Sequence, residues 1–165
     1  MYVLDTNVVS ELRKVRLGKA NANVVAFFET VDAGDLFVSA ITILELELGV
    51  LTIERRDTAQ GALLRSWLEQ QVLPEFADRT LAIDTAVARR CARLHSPDRR
   101  SERDALIAAT ALVHGMTVVT RNVADFHPTG VPLLDPWNGW KGASADRNHR
   151  ERRGRSKGVA FVIAS

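Results

Sequence analysis

The sequence has 165 residues, 46% of them apolar, and a formal net charge of +2, and a chain of this size is expected to bury one hydrophobic core. Its one cysteine, Cys91, excludes an internal disulfide framework and paired-cysteine zinc sites. The N-terminus lacks the pattern of a signal peptide and no apolar run approaches the roughly 18 residues of a membrane span, so we expect a cytoplasmic protein without a membrane anchor.

Short apolar runs alternate with longer helical stretches along the chain. The runs predict strands at 2–4, 36–38, 81–83 and 117–119, with a weaker fifth at 131–134. The spacing of apolar residues predicts helices over about 21–33, 40–53, 58–72, 84–95 and 102–114. This alternation is typical of a mainly parallel sheet, so we predict an α/β fold in which helices cover both faces of the sheet.

The last part of the chain differs from the rest. After residue 138 the apolar periodicity fails, and we predict a folded domain over 1–138 and a basic, disordered tail over 139–165. The tail carries seven Lys and Arg against two acidic residues, and its net charge of +5 leaves −3 for the body. Because that body is mildly acidic, we expect a polyanion to be held by local patches and by metal.

Asp5 directly follows the first predicted strand. Ligands of open α/β sheets bind beyond the carboxyl ends of the strands, so this position lies in the expected site region. An Asp here also suits a helix N-cap before Asn7, and the sequence leaves both roles open. Asp84 is a further candidate acid, but we interpret it as an N-cap because it begins a predicted helix without a partner nearby in sequence.

The helix predicted after Ser39 is apolar nearly all round, so we expect it to be largely buried. It carries two glutamates, Glu45 and Glu47, which point to nearly opposite sides because two residues turn a helix by about 200°. Glu45 shares its stripe with Thr42 and Gly49, where a ligand can approach, whereas we expect Glu47 in solvent. A buried carboxylate needs a cation, and metal and ion pair both remain open for Glu45.

Further acids are expected at the same edge of the sheet. Asp104 follows Ser101 at capping-box spacing, and a first-turn Asp also faces the strand ends. Asn122 and Asp125 come soon after the predicted strand 117–119. Carboxylates that converge on one sheet edge need a cation, and an oxygen-only ligand set selects Mg²⁺ or Mn²⁺. Such a site can activate water and stabilise the in-line displacement of a phosphodiester.

Several sequence segments together resemble the PIN domain of VapC and FitB toxins. They are DTN at 5–7, SE at 10–11, ELELG at 45–49, DALIAATA at 104–111 and TVVTRNVADF at 117–126. The resemblance covers about residues 1–138. It implies a three-layer α/β/α sandwich around a central parallel sheet of about five strands, a homodimer, and metal-dependent RNA cleavage.

The resemblance also implies roles for individual residues. Asp5 and Asp104 would be the closest metal ligands, while Glu45 and Asp125 would complete the acidic cluster, partly through water. The polar positions that match the family around the site are Asn7, Thr120 and Asn122. A partner antitoxin is implied as well, usually a small DNA-binding protein whose C-terminal segment blocks the active site.

The sequence thus predicts a Mg²⁺-dependent endoribonuclease that acts as the toxin of a VapBC-type toxin–antitoxin system, with tRNA as a candidate substrate and a VapB-like antitoxin as partner. Arg99, Arg100 and Arg103 lie just before Asp104 and are candidates for holding flanking RNA phosphates. The alternative for these arginines is a solvated run of charge.

Other functions stay open at this point. A degenerate PIN-like module would bind RNA or an antitoxin without cleavage. An aspartyl phosphatase would use Asp5 as nucleophile, although such enzymes resemble Asp-x-Asp at that point and Asn7 stands at the second position. In a third reading the carboxylates form only structural salt bridges, and Asp5→Asn would then destabilise the fold.

Overall fold

Five parallel strands form one sheet in the order β3-β2-β1-β4-β5. The computed structural model describes residues 1–140, so the predicted tail beyond Trp140 lies outside the described residues. The strands are β1 (Tyr2–Leu4), β2 (Leu36–Ser39), β3 (Thr80–Leu81), β4 (Thr117–Val119) and β5 (Leu133–Leu134). Leu4 is in register with Val38 and with Val119, so the three central strands reach the same edge of the sheet.

Helices follow the strands and cover both faces of the sheet. They are α1 (Thr6–Leu12), α2 (Ala22–Thr30), α3 (Ala40–Glu54), α4 (Thr58–Trp67), α5 (Leu73–Glu75), α6 (Thr85–Leu94), α7 (Glu102–Val113) and α8 (Val123–Phe126). The chain leaves α4 through a π-helical turn, Leu68–Val72. None of the helices within residues 1–140 is long and apolar enough to cross a bilayer.

Two apolar cores lie on opposite faces of the sheet. Successive strand residues point to opposite faces, so Leu4 packs with Phe27 and Phe28 of α2, while Val3 packs with Ile107 of α7. All five side chains are buried. The α/β prediction with a parallel sheet of five strands between helical layers is therefore confirmed.

The predicted element boundaries were partly wrong. The third strand is Thr80–Leu81 rather than 81–83, and the fifth is confined to Leu133–Leu134. Helix α1 was not predicted, because seven residues between a strand and a turn give too few helical repeats to detect. Asp84 accepts a hydrogen bond from the backbone N–H of Val87, which confirms its N-cap role.

The prediction that α3 is largely buried was wrong. One of its faces packs into the core through Leu46 and Val50. The opposite face exposes leucines whose relative accessibilities lie between 39% and 46%, at Leu44, Leu48 and Leu51. Apolar content alone does not reveal which side of a helix is left exposed.

Helix α4 packs on α3 through an ion-pair cluster and a close backbone approach. The Arg65 guanidinium contacts the carboxylates of Glu47 and Glu54, with 3.0 Å between Nε and the Glu54 Oε1. Glu47 was expected in solvent, and its side chain is 38% exposed while it pairs with Arg65. Beside this cluster the buried Gly61 faces the backbone of Glu54.

Glu11, near the end of α1, holds the segment between α1 and α2 in place through two hydrogen bonds. Its carboxylate accepts hydrogen bonds from the Lys14 Nζ at 2.7 Å and from the Asn21 backbone N–H at 2.9 Å. Burial raises the pKa of Glu11, but these hydrogen bonds and the positive charges of Lys14 and Arg121 outweigh burial and leave that pKa below its usual value of 4.5. The ionised form therefore stabilises the fold.

Glu11→Gln is expected to lower the free energy of unfolding at neutral pH by about 1–2 kcal/mol, since it weakens hydrogen bonds to a charged acceptor. The folded pKa lies below the unfolded value, so this contribution is fully present above about pH 4.5 and is lost as the pH falls through the folded pKa. Urea unfolding at a series of pH values checks this, with the exposed Glu29→Gln as control. A difference between wild type and variant that stays constant down to pH 3 would contradict the prediction.

Candidate active site

The acidic residues predicted from the sequence lie at the edge of the sheet that is formed by the carboxyl ends of the strands. Helix α1 begins directly after β1, and α3 begins directly after β2. The Ser39 hydroxyl caps α3 by accepting a hydrogen bond from the Ile41 N–H at 3.2 Å. Ser101 stands at the N-cap position of α7 but makes no side-chain cap bond, so the predicted capping box was wrong. Asp5 directly precedes α1, Asp104 lies in the first turn of α7 and Glu45 in the second turn of α3, and all three line one cleft.

Asp5 is the most buried carboxylate of this cleft, with 5% of its surface exposed. Its Oδ1 accepts a hydrogen bond from the Thr6 N–H at 2.7 Å, so Asp5 also serves as the N-cap of α1. Its Oδ2 accepts from the Asn7 amide at 2.6 Å and from the Thr120 hydroxyl at 2.7 Å. The two roles left open by the sequence are thus compatible, and Asn7 and Thr120 hold the carboxylate in place.

The environment of Asp5 opposes its ionisation. Burial is the largest effect and raises its pKa, the hydrogen bonds from Thr120 and Thr6 lower it, and the carboxylates of Glu45 and Asp104 raise it again. The result is a pKa of about 6 for Asp5. A bound cation would favour the charged form and relieve this repulsion.

Asp104 lies in the first turn of α7 and is coupled to the same acids. Burial raises the pKa of Asp104, and the charges of Asp125 and Glu45 raise it further. The Ser101 hydroxyl and the Arg103 guanidinium act in the opposite direction without cancelling the increase. The carboxylates predicted from separate segments therefore interact electrostatically in the folded chain.

Glu45 connects three helices at the cleft. Its Oε2 accepts a hydrogen bond from the Thr6 hydroxyl of α1, and its Oε1 lies 3.6 Å from an Arg103 nitrogen of α7. Sequence reasoning did not assign a role to Thr6. Its position after Asp5 becomes informative only once α1 is known to begin there.

The cleft between these helices has a volume of about 820 Å³. Its walls are formed by Asp5, Thr6, Asn7, Ser10, Glu45, Leu48, Gly49, Thr52, Ile53, Arg103, Asp104 and Asn122. The backbone N–H of Asn122 donates to the Thr120 hydroxyl at 2.9 Å. Asp125 lies on α8, outside this lining, and acts on Asp104 through its charge. Of these two residues, Asn122 therefore borders the cleft.

The three arginines predicted to hold RNA are not equivalent. Arg103 lines the cleft beside Glu45. The Arg100 guanidinium turns back to its own loop, where Nε donates to the Leu94 carbonyl at 2.8 Å. Arg99 is exposed. The structure thus brings only Arg103 of this group into the cleft.

The donor set suits a hydrated divalent cation. Within residues 1–140, no three His, Cys, Asp or Glu side chains are grouped so that they could hold a metal ion by themselves. Mg²⁺ commonly takes one or two carboxylates and keeps several waters, so a cage is not required. The Asp5 carboxylate accepts three hydrogen bonds, which leaves about one of its four lone-pair sites free. These carboxylates fit an ion bound partly through water.

Comparisons with known proteins agree with this arrangement. The sequence pattern of the PIN domain matches residues 2–127. The chain is 36% identical to Toxin FitB of Neisseria gonorrhoeae over 143 residues, covering 84% of this chain and 99% of FitB. It is also 36% identical to the VapC ribonuclease Y4jK of Sinorhizobium fredii over 142 residues, covering 83% and 98%. A crystal structure of FitAcB from N. gonorrhoeae superposes with a TM-score of 0.74 at 37% identity, covering 83% of this chain and 99% of that one.

Proposed function

Because this chain belongs to the PIN domain family, we propose that it is a metal-dependent endoribonuclease and the toxin of a VapBC-type toxin–antitoxin system. The observation that carries the proposal is the buried Asp5, whose pKa is raised by burial and by the carboxylates of Glu45 and Asp104 at one cleft. Relatives named as toxin and ribonuclease align over nearly their whole length, which supports the same activity here.

We assign Mg²⁺ as the metal, with Mn²⁺ as the alternative, because the available ligands are carboxylate oxygens. Asp5 and Asp104 would hold the ion, which supplies charge neutralisation at the phosphate and a lower pKa for water. Glu45 and Asp125 would orient the surrounding waters, including the attacking one.

The polar residues of the cleft have supporting roles in this proposal. Asn7 and Thr120 donate hydrogen bonds to Asp5 and keep its carboxylate in position. Asn122 borders the cleft beside them, where it can contact the RNA. Since Asn7 is a donor to Asp5, it does not supply the second carboxyl group that an aspartyl phosphatase requires. The ribonuclease is therefore preferred over that enzyme class.

RNA needs positive charge near an acidic cleft, because carboxylates repel phosphates. Arg103 is the candidate for holding a flanking phosphate, since it lines the cleft. Arg99 and Arg100 keep a secondary role, because Arg100 is engaged in its own loop. We propose a folded RNA such as tRNA as the substrate.

The proposed partner is a VapB-like antitoxin. The exposed leucines of α3 adjoin the cleft, since Leu48 belongs to both, and a partner segment can bury them while it covers the acids. A solved structure of FitAB bound to an IR36 DNA fragment, whose matched chain is 36% identical to this one, supports a partner of this kind. We also propose that the chain forms a homodimer, and that the domain ends near residue 138.

Cleavage of total tRNA and of an unstructured RNA by the purified, antitoxin-free chain tests the proposed activity. The reactions contain Mg²⁺, Mn²⁺ or EDTA, and the double variant Asp5→Asn with Asp104→Asn serves as the blank. We expect discrete products that need a divalent cation and are absent with the double variant. A folded protein that cleaves neither RNA with either metal would contradict the proposal and favour the non-cleaving module.

A further inference from the structure

A second pocket lies between α6 and α7, outside the acidic cleft. Its volume is about 300 Å³, and its lining residues are Ala86, Arg89, Arg90, Arg93 and Val113. The three arginines recur at helical spacing, so they share one side of α6, while the Ala86 and Val113 side chains form a small apolar part of the wall. The pocket is therefore positively charged and partly apolar.

No carboxylate forms an ion pair with the arginines of this pocket in the part of the chain that the structure describes. No carboxylate lines the pocket, and no ion pair within residues 1–140 includes Arg89, Arg90 or Arg93. The Nε of Arg90 is buried and has no hydrogen-bond partner among the described residues. An unsatisfied buried donor and three neighbouring cations both carry a free-energy cost, and an anion in the pocket would relieve the repulsion among the cations.

The chemistry of the lining selects the class of anion. A guanidinium group presents a planar fork of donors that matches the oxygens of a phosphate, often through two parallel hydrogen bonds. Three such groups around one small volume suit a multiply accepting, strongly charged oxyanion. The phosphate of a nucleic-acid backbone has this character.

The pocket is separated from the acidic cleft along α7. Asp104 lies in the first turn of that helix and Val113 is its last residue, so about 14 Å of helix axis separates them at 1.5 Å per residue. A very short oligonucleotide seated in the cleft would not reach the pocket, whereas a longer or folded RNA would. The separation thus predicts that the contribution of the pocket to RNA affinity depends on the length of the RNA.

We propose that the pocket formed by Arg89, Arg90 and Arg93 binds a backbone phosphate of the RNA substrate at a position remote from the cleaved bond. This inference rests on the proposed ribonuclease function and identifies the substrate class as RNA long enough to contact both sites. The pocket adds affinity for such RNA and takes no part in the cleavage step.

Binding is measured by fluorescence anisotropy in an Asp104→Asn background, so that cleavage does not enter the measurement. The test variant carries Arg89→Gln with Arg93→Gln, both exposed positions, and the control carries Arg55→Gln with Arg56→Gln, which changes the net charge equally. For total tRNA we expect the test variant to bind about tenfold more weakly, with a salt slope smaller by about 1–2. The control variant should bind tRNA like the Asp104→Asn protein without further substitutions, and an RNA dinucleotide, which is too short to reach both sites, should bind equally to all three.

Poly-glutamate serves as a polyanion that lacks phosphate. An equal loss of affinity for poly-glutamate and tRNA in the test variant would overturn the assignment to phosphate and indicate a site for an acidic protein segment. Unchanged tRNA affinity, an equal loss in the control variant, or no tRNA binding at all would also overturn the inference. If wild type cleaves no RNA while the affinity difference persists, the ribonuclease proposal fails and the phosphate pocket remains.

Discussion

Asp5→Asn is expected to abolish RNA cleavage, with a loss in kcat on the order of a thousandfold, because the substitution removes the negative charge proposed to hold the cation. The same change should leave the melting temperature of the metal-free protein unchanged or higher. Burial and the neighbouring carboxylates raise the pKa of Asp5 to about 6, so its ionised form costs stability at neutral pH without metal. Cleavage rates with Mg²⁺ and thermal unfolding in EDTA provide the two measurements.

The matched control for this prediction is Glu47→Gln. This substitution also removes one negative charge, but Glu47 faces Arg65 on α4 rather than the cleft. Cleavage by the control variant should therefore stay close to wild type. If Asp5→Asn instead lowers the melting temperature in EDTA by several degrees, the carboxylate is a structural group. Residual cleavage near the wild-type rate would contradict its role in metal binding.

Gly61→Ala is expected to lower the free energy of unfolding by about 1–3 kcal/mol, the usual cost of overpacking a well-packed interior. A Cβ at position 61 would lie 2.6 Å from the Cα of Glu54, a contact with backbone that a rotamer change cannot relieve. The helices α3 and α4 must therefore separate, which also strains the Arg65 cluster between them. Urea unfolding monitored by circular dichroism measures the change.

Gly49→Ala is the control, because alanine at this position is expected not to lower the free energy of unfolding. Gly49 lies within α3, and a Cβ there would meet no atom within 4 Å outside its chain neighbours and the backbone of its own helix. Since alanine favours a helix over glycine by up to about 1 kcal/mol, this variant should be as stable as wild type or more so. Equal destabilisation by both substitutions would show that the close approach at Gly61 is not the cause.

The geometry of single elements was predictable from the sequence. Tyr2–Leu4 and Thr117–Val119 were predicted at their observed bounds because buried parallel strands are short apolar runs. The opposite directions of Glu45 and Glu47 followed from the helical turn alone, and they do contact different partners, Arg103 and Arg65. Local periodicity is enough for these features, since it depends only on the backbone.

Contacts between distant segments were harder to predict from the sequence. The ion pair of Glu47 depended on the position of Arg65 on α4, and the exposure of Leu48 depended on which helices pack beside α3. The link from Thr6 to Glu45 required α1, a helix too short to predict. Arg103 and Arg100 are neighbours in a charge run, yet one lines the cleft and the other binds its own loop.

The sequence by itself determined the fold class and the presence of acids at strand ends, because strand and helix periods are properties of each segment. The tertiary structure decided how deeply Asp5 is buried, which side chains hold it, and where the arginines of α6 lie relative to the cleft. Burial and charge coupling are sums over neighbours from separate segments, and those neighbours are set only when the helices pack on the sheet.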